Sequence, residues 1–236
     1  MIALRGPVVV TGTDTGVGKT IVTAAIAVAA TLAGLRVAVV KPAQTGIITG
    51  EESDAATIVR LANPATVRTF AAYPDPLAPL AAARVSGEPA LTVMAAHLGV
   101  RDAGRHRDLT LVEGAGGLLV QLGEGGWTIA DLASSLGATA VVVARAGLGT
   151  LNHVALTLEA LERRHIPAVV VIGSWPTNPE LVHRTNLRDL AGNLAGAVPE
   201  GAGTMAPTVF QREAPHWLAN VLYGQFDPGI FRAKGR

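Results

Sequence analysis

Residues 7–20 read PVVVTGTDTGVGKT, Pro7 to Thr20. A β-branched run, Pro7–Thr11, passes through a glycine-rich turn into an Ala-rich stretch, Lys19–Ala33, that suits a buried helix. Strand, glycine turn and helix in this order make a cradle for phosphate. Glycines at 16 and 18 let backbone N–H groups turn towards an anion, and the helix N-terminus adds positive partial charge. Lys19 is spaced to reach β- and γ-phosphates, and the Thr20 hydroxyl to ligate Mg²⁺. The spacing is a variant of G-x-x-x-x-G-K-[ST]: Thr13 holds the first glycine position and Gly12 lies one residue early.

Outward from this segment, apolar runs alternate with helical stretches. Strands are expected at Arg36–Lys41, Leu109–Glu113, Ala138–Ala144, Ala168–Ile172 and Leu194–Val198. Runs such as VAVV and AVVVA are continuous rather than alternating, which marks strands buried on both faces of a parallel sheet. Helices are expected at Asp54–Leu61, Leu91–Ala103, Thr128–Leu136, Leu151–Arg164, Pro179–Ala191 and Ala214–Tyr223. Tyr73–Pro79 (YPDPLAP) reads as a loop. The expected fold is α/β, a doubly wound and mainly parallel sheet in a single domain of the P-loop NTPase type. It spans residues 1–223, with 224–236 as a frayed tail.

Composition narrows the chemistry. The 236 residues carry 19 basic and 18 acidic side chains, a net charge of +1, so no basic field exists for nucleic acid or an anionic membrane. Cysteine is absent, which excludes disulfides, thiol catalysis and cysteine-ligated zinc. The six histidines show no pair four apart on one helix for a metal. No signal peptide and no apolar run of about 18–20 residues is found, so a cytoplasmic location is expected.

Ligands of open parallel sheets lie beyond the carboxyl ends of the strands. In LTLVEGAGG, Leu109 to Gly117, a buried strand leads to Glu113, placed to meet a Mg²⁺ held by Thr20. In VVKPAQTG, Val39 to Gly46, Lys41 ends an apolar strand and Pro42 enforces an extended exit. That lysine offers a compact charge to a phosphoryl group, and Thr45 a hydroxyl to a substrate. In ESDAAT, Glu52 to Thr57, Asp54 is either part of a helix cap or the third oxygen ligand beside Thr20 and Glu113. GLGTLNH, Gly147 to His153, opens a long helix and reads as a second anion site or as a plain glycine turn.

GTDTGVGKT, KPAQTG, ESDA, VEGAGG and LGTLNH, in this order, resemble the dethiobiotin synthetase family over roughly residues 8–200. The resemblance implies a homodimeric enzyme joining CO₂ (or bicarbonate) to 7,8-diaminononanoate with Mg²⁺ and ATP or another nucleoside triphosphate. By position it implies that Gly16, Val17, Gly18, Lys19, Thr20 and Ile21 hold the nucleotide phosphates. Thr20, Asp54 and Glu113 gather Mg²⁺, Lys19 and Lys41 stabilise the phosphoryl charge, and Glu113, Gly114, Ala115 and Gly116 face metal and substrate. Thr45 and Thr13 contact the diamine or its carbamate, while Gly149, Thr150, Leu151 and Asn152 meet the substrate across the dimer. Gly173 and Ser174 stand where some members carry an Asn-Asp pair for the nucleotide base, with Val198, Pro199 and Glu200 beside them.

Two other classes share this fold. A partner-binding ATPase switch of the chromosome- or division-site-partitioning type carries a second lysine early in its phosphate loop, where this chain has Asp14. An amidotransferase-type synthetase needs a nucleophilic cysteine, which this chain lacks.

Overall fold

In the computed structural model, which describes residues 3–47, 52–190 and 194–234, Val8 and Val10 face one apolar cluster and Val9 faces another. Both faces of this strand are therefore covered, which is why its sequence is continuously apolar. The strand is β1 (Gly6–Gly12). It lies in a seven-stranded sheet with β2 (Val37–Gln44), β3 (Thr66–Ala72), β4 (Leu109–Gly117), β5 (Thr139–Ala144), β6 (Ala168–Trp175) and β7 (Leu194–Pro199). The order is β3-β2-β4-β1-β5-β6-β7 and every pairing is parallel.

The helices are α1 (Lys19–Leu32), α2 (Asp54–Ala62), α3 (Pro79–Ser86), α4 (Val93–Ala103), α5 (Ile129–Leu136), α6 (Thr150–Glu162), α7 (Leu181–Asp189), α8 (Pro207–Glu213) and α9 (Pro228–Lys234). Helices α1, α2 and α8 cover one face through Ala24, Val28, Ile58 and Phe210. Helices α4 to α7 cover the other through Ala96, Leu132, Val154 and Leu187. The chain runs from β1 over β4 to β2, then from β4 back over β1 to β5. This reversal leaves a crevice beyond the carboxyl ends of the two central strands, where a ligand of an open sheet binds. Among the described residues no helix is long and apolar enough to cross a membrane.

Several elements differ from the sequence expectation. β3 was not expected: TVRTFAA mixes Thr66, Arg68 and Thr69 with its apolar residues and is half-exposed, because it forms one edge of the sheet. Helix α3 starts at Pro79, the residue that closed the expected loop; proline suits the first helical turn, and Gly87 ends the helix at φ 73°. The expected helix Ala214–Tyr223 is two 3₁₀ turns, Ala214–Trp217 and Asn220–Leu222, preceded by α8. Pro215 has no N–H for a continuous ladder. Within the segment expected to fray, α9 forms, and Phe231 packs edge-on at 5.2 Å from Trp175 and tilted at 5.0 Å from Phe226. β2 and β4 continue past their expected ends, so Lys41 and Glu113 lie inside strands; Glu113 is in register with Val10. Ala191, the expected end of the helix from Pro179, lies outside the described residues.

Candidate functional site

The crevice is built around the loop between β1 and α1. Gly16 and Gly18 take φ 71° and 95°, the left-handed region open to glycine at little cost, and Gly18 is the cap of α1. The loop needs glycine for a second reason: a Cβ on Gly18 would come within 2.6 Å of the Gly173 carbonyl oxygen at the end of β6. Gly173 in turn lies so close to the loop that a Cβ there would overlap the Val17 carbonyl. The glycine at 173 thus lets the sheet support the underside of the loop, and Ser174 beside it is exposed.

Four elements deliver charge to one cavity of about 350 Å³, lined in part by Gly16, Gly18, Lys19, Thr20, Ile21, Lys41, Thr45, Asp54 and Glu113. Lys19 donates to the Asp14 carbonyl at 2.9 Å, curling over its own loop. Burial first, and then repulsion from Lys41, hold the Lys19 ammonium below its usual pKa, with Glu113 and Asp54 opposing. Thr20 Oγ1 lies 2.9 Å from Asp54 Oδ1 and 2.9 Å from Glu113 Oε1. Lys41 Nζ is 2.6 Å from Asp54 Oδ2, 2.8 Å from Glu113 Oε1 and 3.1 Å from the Gly114 carbonyl. Burial would lower the Lys41 pKa; attraction to Glu113 and Asp54 outweighs it and raises the pKa. Burial likewise would raise Asp54, but Lys41 and the Thr20 hydroxyl hold its carboxyl below the usual range. Asp54 also opens α2, where Ser53 is the cap and accepts from the Ala56 amide, which leaves the Asp54 carboxylate facing Lys41 and Thr20.

The donor set suits a hard divalent cation. Two carboxylates and a hydroxyl converge, and Glu113 Oε2 is buried without a hydrogen-bond partner. The 2.9 Å spacings from Thr20 Oγ1 match the edge of about 3.0 Å expected for an octahedron with metal–oxygen bonds of about 2.1 Å. Among the described residues no three His, Cys, Asp or Glu side chains cluster, so a cation here would draw few ligands from the protein.

A second chamber of about 390 Å³ adjoins the first and shares Thr15, Thr45, Ala115 and Gly116 with it. Its other wall is apolar: Pro76, Leu77, Ala78, Pro79 and Val120. Sequence reasoning missed Thr15, Gln44 and the whole Pro76–Pro79 wall, and assigned Thr13 instead. Thr13 lies beneath the loop, its amide bonded to the Val143 carbonyl at 2.9 Å and its hydroxyl buried without a partner, outside both linings. Val17 and Val198 are core residues rather than part of the lining. Pro199 ends β7 and Glu200 follows it; Glu200 is exposed and its amide donates to the Trp175 carbonyl at 2.8 Å.

Gly149, Thr150, Leu151 and Asn152 form the start of α6, away from both chambers of their own chain. Two contacts that no sequence pattern revealed fix this segment. Asn186 of α7 donates to the Ala146 carbonyl at 2.9 Å and the Gly147 carbonyl at 3.0 Å. Arg145 pairs with Asp14 of the phosphate loop at 2.5 Å.

A family model described as an AAA domain matches residues 7–208. The ATP-dependent dethiobiotin synthetase of Streptomyces avermitilis is 49% identical over 228 residues, covering 94% of this chain and 96% of the relative. That of Rhodococcus jostii is 52% identical over 215 residues, covering 89% and 93%. That of Frankia casuarinae is 51% identical over 233 residues, covering 96% and 97%. Among solved structures, the MinC:MinD cell division protein complex of Aquifex aeolicus matches with a TM-score of 0.53 at 14% identity, covering 98% of this chain and 96% of that one. The MinD cell division protein of the same organism gives 0.52 at 16%, covering 88% and 86%. At such identities the likeness is one of fold alone.

Proposed function

The chain belongs to the ATP-dependent dethiobiotin synthetases of biotin biosynthesis, and from that premise we propose how its two chambers divide the reaction. The first takes the triphosphate, with phosphates on the Gly16–Ile21 loop and helix start. Thr20, Asp54 and Glu113 would hold Mg²⁺, which would supply charge neutralisation to the triphosphate. The second takes 7,8-diaminononanoate, its alkyl chain against Pro76–Pro79 and Val120, its amines towards Thr45, Thr15 and the Ala115–Gly116 backbone. One amine takes up CO₂ to give a carbamate. The carbamate oxygen attacks the γ-phosphorus and ADP leaves, giving a carbamic–phosphoric anhydride. The second amine attacks the carbonyl and expels phosphate, closing the cyclic urea. No side chain need act as nucleophile; Lys19 and Lys41 supply charge and position.

The observation that supports this reading best is the convergence of Lys19, Thr20, Lys41, Asp54 and Glu113 on one cavity that opens into an apolar chamber. The carboxylate of the substrate, remote from its amines, is assigned to the Gly149–Asn152 helix start of a second subunit in a homodimer. Leu148 and Leu156, 86% and 57% exposed beside that helix start, suit such an interface. The test is mass spectrometry of a reaction holding the enzyme, the diamine, bicarbonate, ATP and Mg²⁺. Dethiobiotin together with substrate-dependent ADP release is expected. ATP hydrolysis indifferent to the diamine, with no cyclic product, would sink the reading.

A further inference from the structure

An ammonium has three N–H donors. At Lys41 all three have partners inside the protein: Asp54 Oδ2 at 2.6 Å, Glu113 Oε1 at 2.8 Å and the Gly114 carbonyl at 3.1 Å. The side chain is 5% exposed, so water does not compete for these contacts. In this arrangement Lys41 has no donor left for a phosphoryl or carbamate oxygen. Lys19 differs: its Nζ has one protein partner, the Asp14 carbonyl, and faces the same cavity. The two carboxylates that hold Lys41 are also the two that, with Thr20, form the hard-oxygen set of the cavity. The fully buried Glu113 and the half-buried Asp54 share the one ammonium in direct contact with them, Lys19 acting on both only at longer range, and among the described residues Glu113 Oε2 has no hydrogen-bond partner. A divalent cation balances both carboxylates; an ammonium balances one.

We propose that Lys41 is the resident cation of the Asp54–Glu113 pair in the nucleotide-free enzyme, and that the arriving divalent cation exchanges it out into the cavity. The inference rests on the reading that Thr20, Asp54 and Glu113 gather that cation. One event then does two things. It completes the cation site, and it frees the Lys41 donors for the phosphoryl group. The lysine is thereby withheld until the divalent cation is in place, so the two cations act in a fixed order. No bond is made or broken in the exchange; one ammonium contact set is replaced by another.

The test is divalent binding to the full-length enzyme without nucleotide, followed by Mg²⁺ calorimetry and by the electron paramagnetic resonance signal of free Mn²⁺. Lys41→Met is expected to bind Mn²⁺ at least about tenfold more tightly than the parent, a shift of about 1.4 kcal/mol. Lys19→Met removes the same charge from the same cavity without touching either carboxylate, and is expected to change binding little. Equal tightening in both variants would mean charge alone is at work and would overturn the exchange, as would no tightening in Lys41→Met. Because that variant leaves buried Glu113 and half-buried Asp54 without their lysine and risks misfolding, the parent enzyme gives a second measurement. In pulse acetylation read by peptide mass spectrometry, Lys41 is expected to be protected in the free enzyme and labelled once Mg²⁺ is added, relative to Lys19. Unchanged Lys41 labelling overturns the proposal. Failure of the underlying cation reading looks different: Glu113→Gln would then bind Mg²⁺ with nucleotide as tightly as the parent does.

Discussion

Glu113 was visible in the sequence as a carboxylate closing an apolar run, with Thr20 and Asp54 expected near it, but its direct contact with Lys41 and its register with Val10 were not. The Lys41 and Thr20 contacts come from a strand and a helix 72 and 93 residues away in the chain. If Lys19 and Glu113 stabilise the transferring phosphoryl group, Lys19→Ala and Glu113→Ala should each lower turnover by about 10²–10⁴, the scale of losing a charge partner in the transition state. Steady-state kinetics on variants shown to be folded by circular dichroism checks this, and near-normal turnover of Glu113→Ala counts against the assignment. Gly173 carries a second residue-scale expectation. Packed against Val17, it offers a base no side chain, and exposed Ser174 offers one short hydroxyl. Binding energy then resides in the triphosphate, and ATP, GTP, CTP and UTP should support the reaction within about tenfold, about 1.4 kcal/mol. The measurement is kcat/KM for each with saturating diamine and bicarbonate; a thousandfold preference for ATP would contradict it.

At the scale of elements, continuous apolar runs announced the buried strands, and the glycine-lysine turn announced the start of α1. Edge elements were less legible. β3 begins with Thr66, Arg68 and Thr69 among its first four residues and buries none of its side chains fully, and α3 follows Pro74 and Pro76 and opens on a third proline, Pro79, in a segment whose local signals all say loop. The segment before α6 is held by a neighbour rather than by its own residues: Asn186, buried on α7, spans the Ala146 and Gly147 carbonyls. Asn186→Ala removes the donor and leaves those acceptors to find water, at a cost of about 1–3 kcal/mol. Asn186→Asp sets a carboxylate against two carbonyl oxygens and should cost more. Urea unfolding measures both losses. If Gly149–Asn152 anchors the substrate carboxylate, the Asn186→Ala enzyme should also show a raised KM for the diamine with the KM for ATP unchanged. An equal rise in both would show that Asn186 acts on the fold at large.

For the whole molecule, the chain reversal around β1 and β4 places both cavities at one end of the sheet. The α6 helix start lines neither of them on the same chain, and the proposed carboxylate anchor is assigned to that of a second subunit. Sedimentation equilibrium at micromolar concentration should therefore give about twice the 24.1 kDa chain mass. Exchanging exposed Leu148 or Leu156 for Glu should shift the equilibrium towards monomer and lower activity together. A fully active monomer would refute the shared site.

The sequence by itself determined the periodic features: a parallel sheet buried on both faces, a phosphate loop at the end of the first strand, and the residue types that meet a triphosphate. These are local, because burial periodicity and turn chemistry act over a few neighbouring residues. Only the tertiary structure decided which charges share a cavity. It also decided that Thr15 rather than Thr13 lines that cavity, that Gly173 supports the loop, and that Lys41 is fully occupied by Asp54, Glu113 and Gly114. Those facts depend on strand order and register, which bring distant segments within hydrogen-bond distance, and no short window of sequence encodes a pairing of that kind.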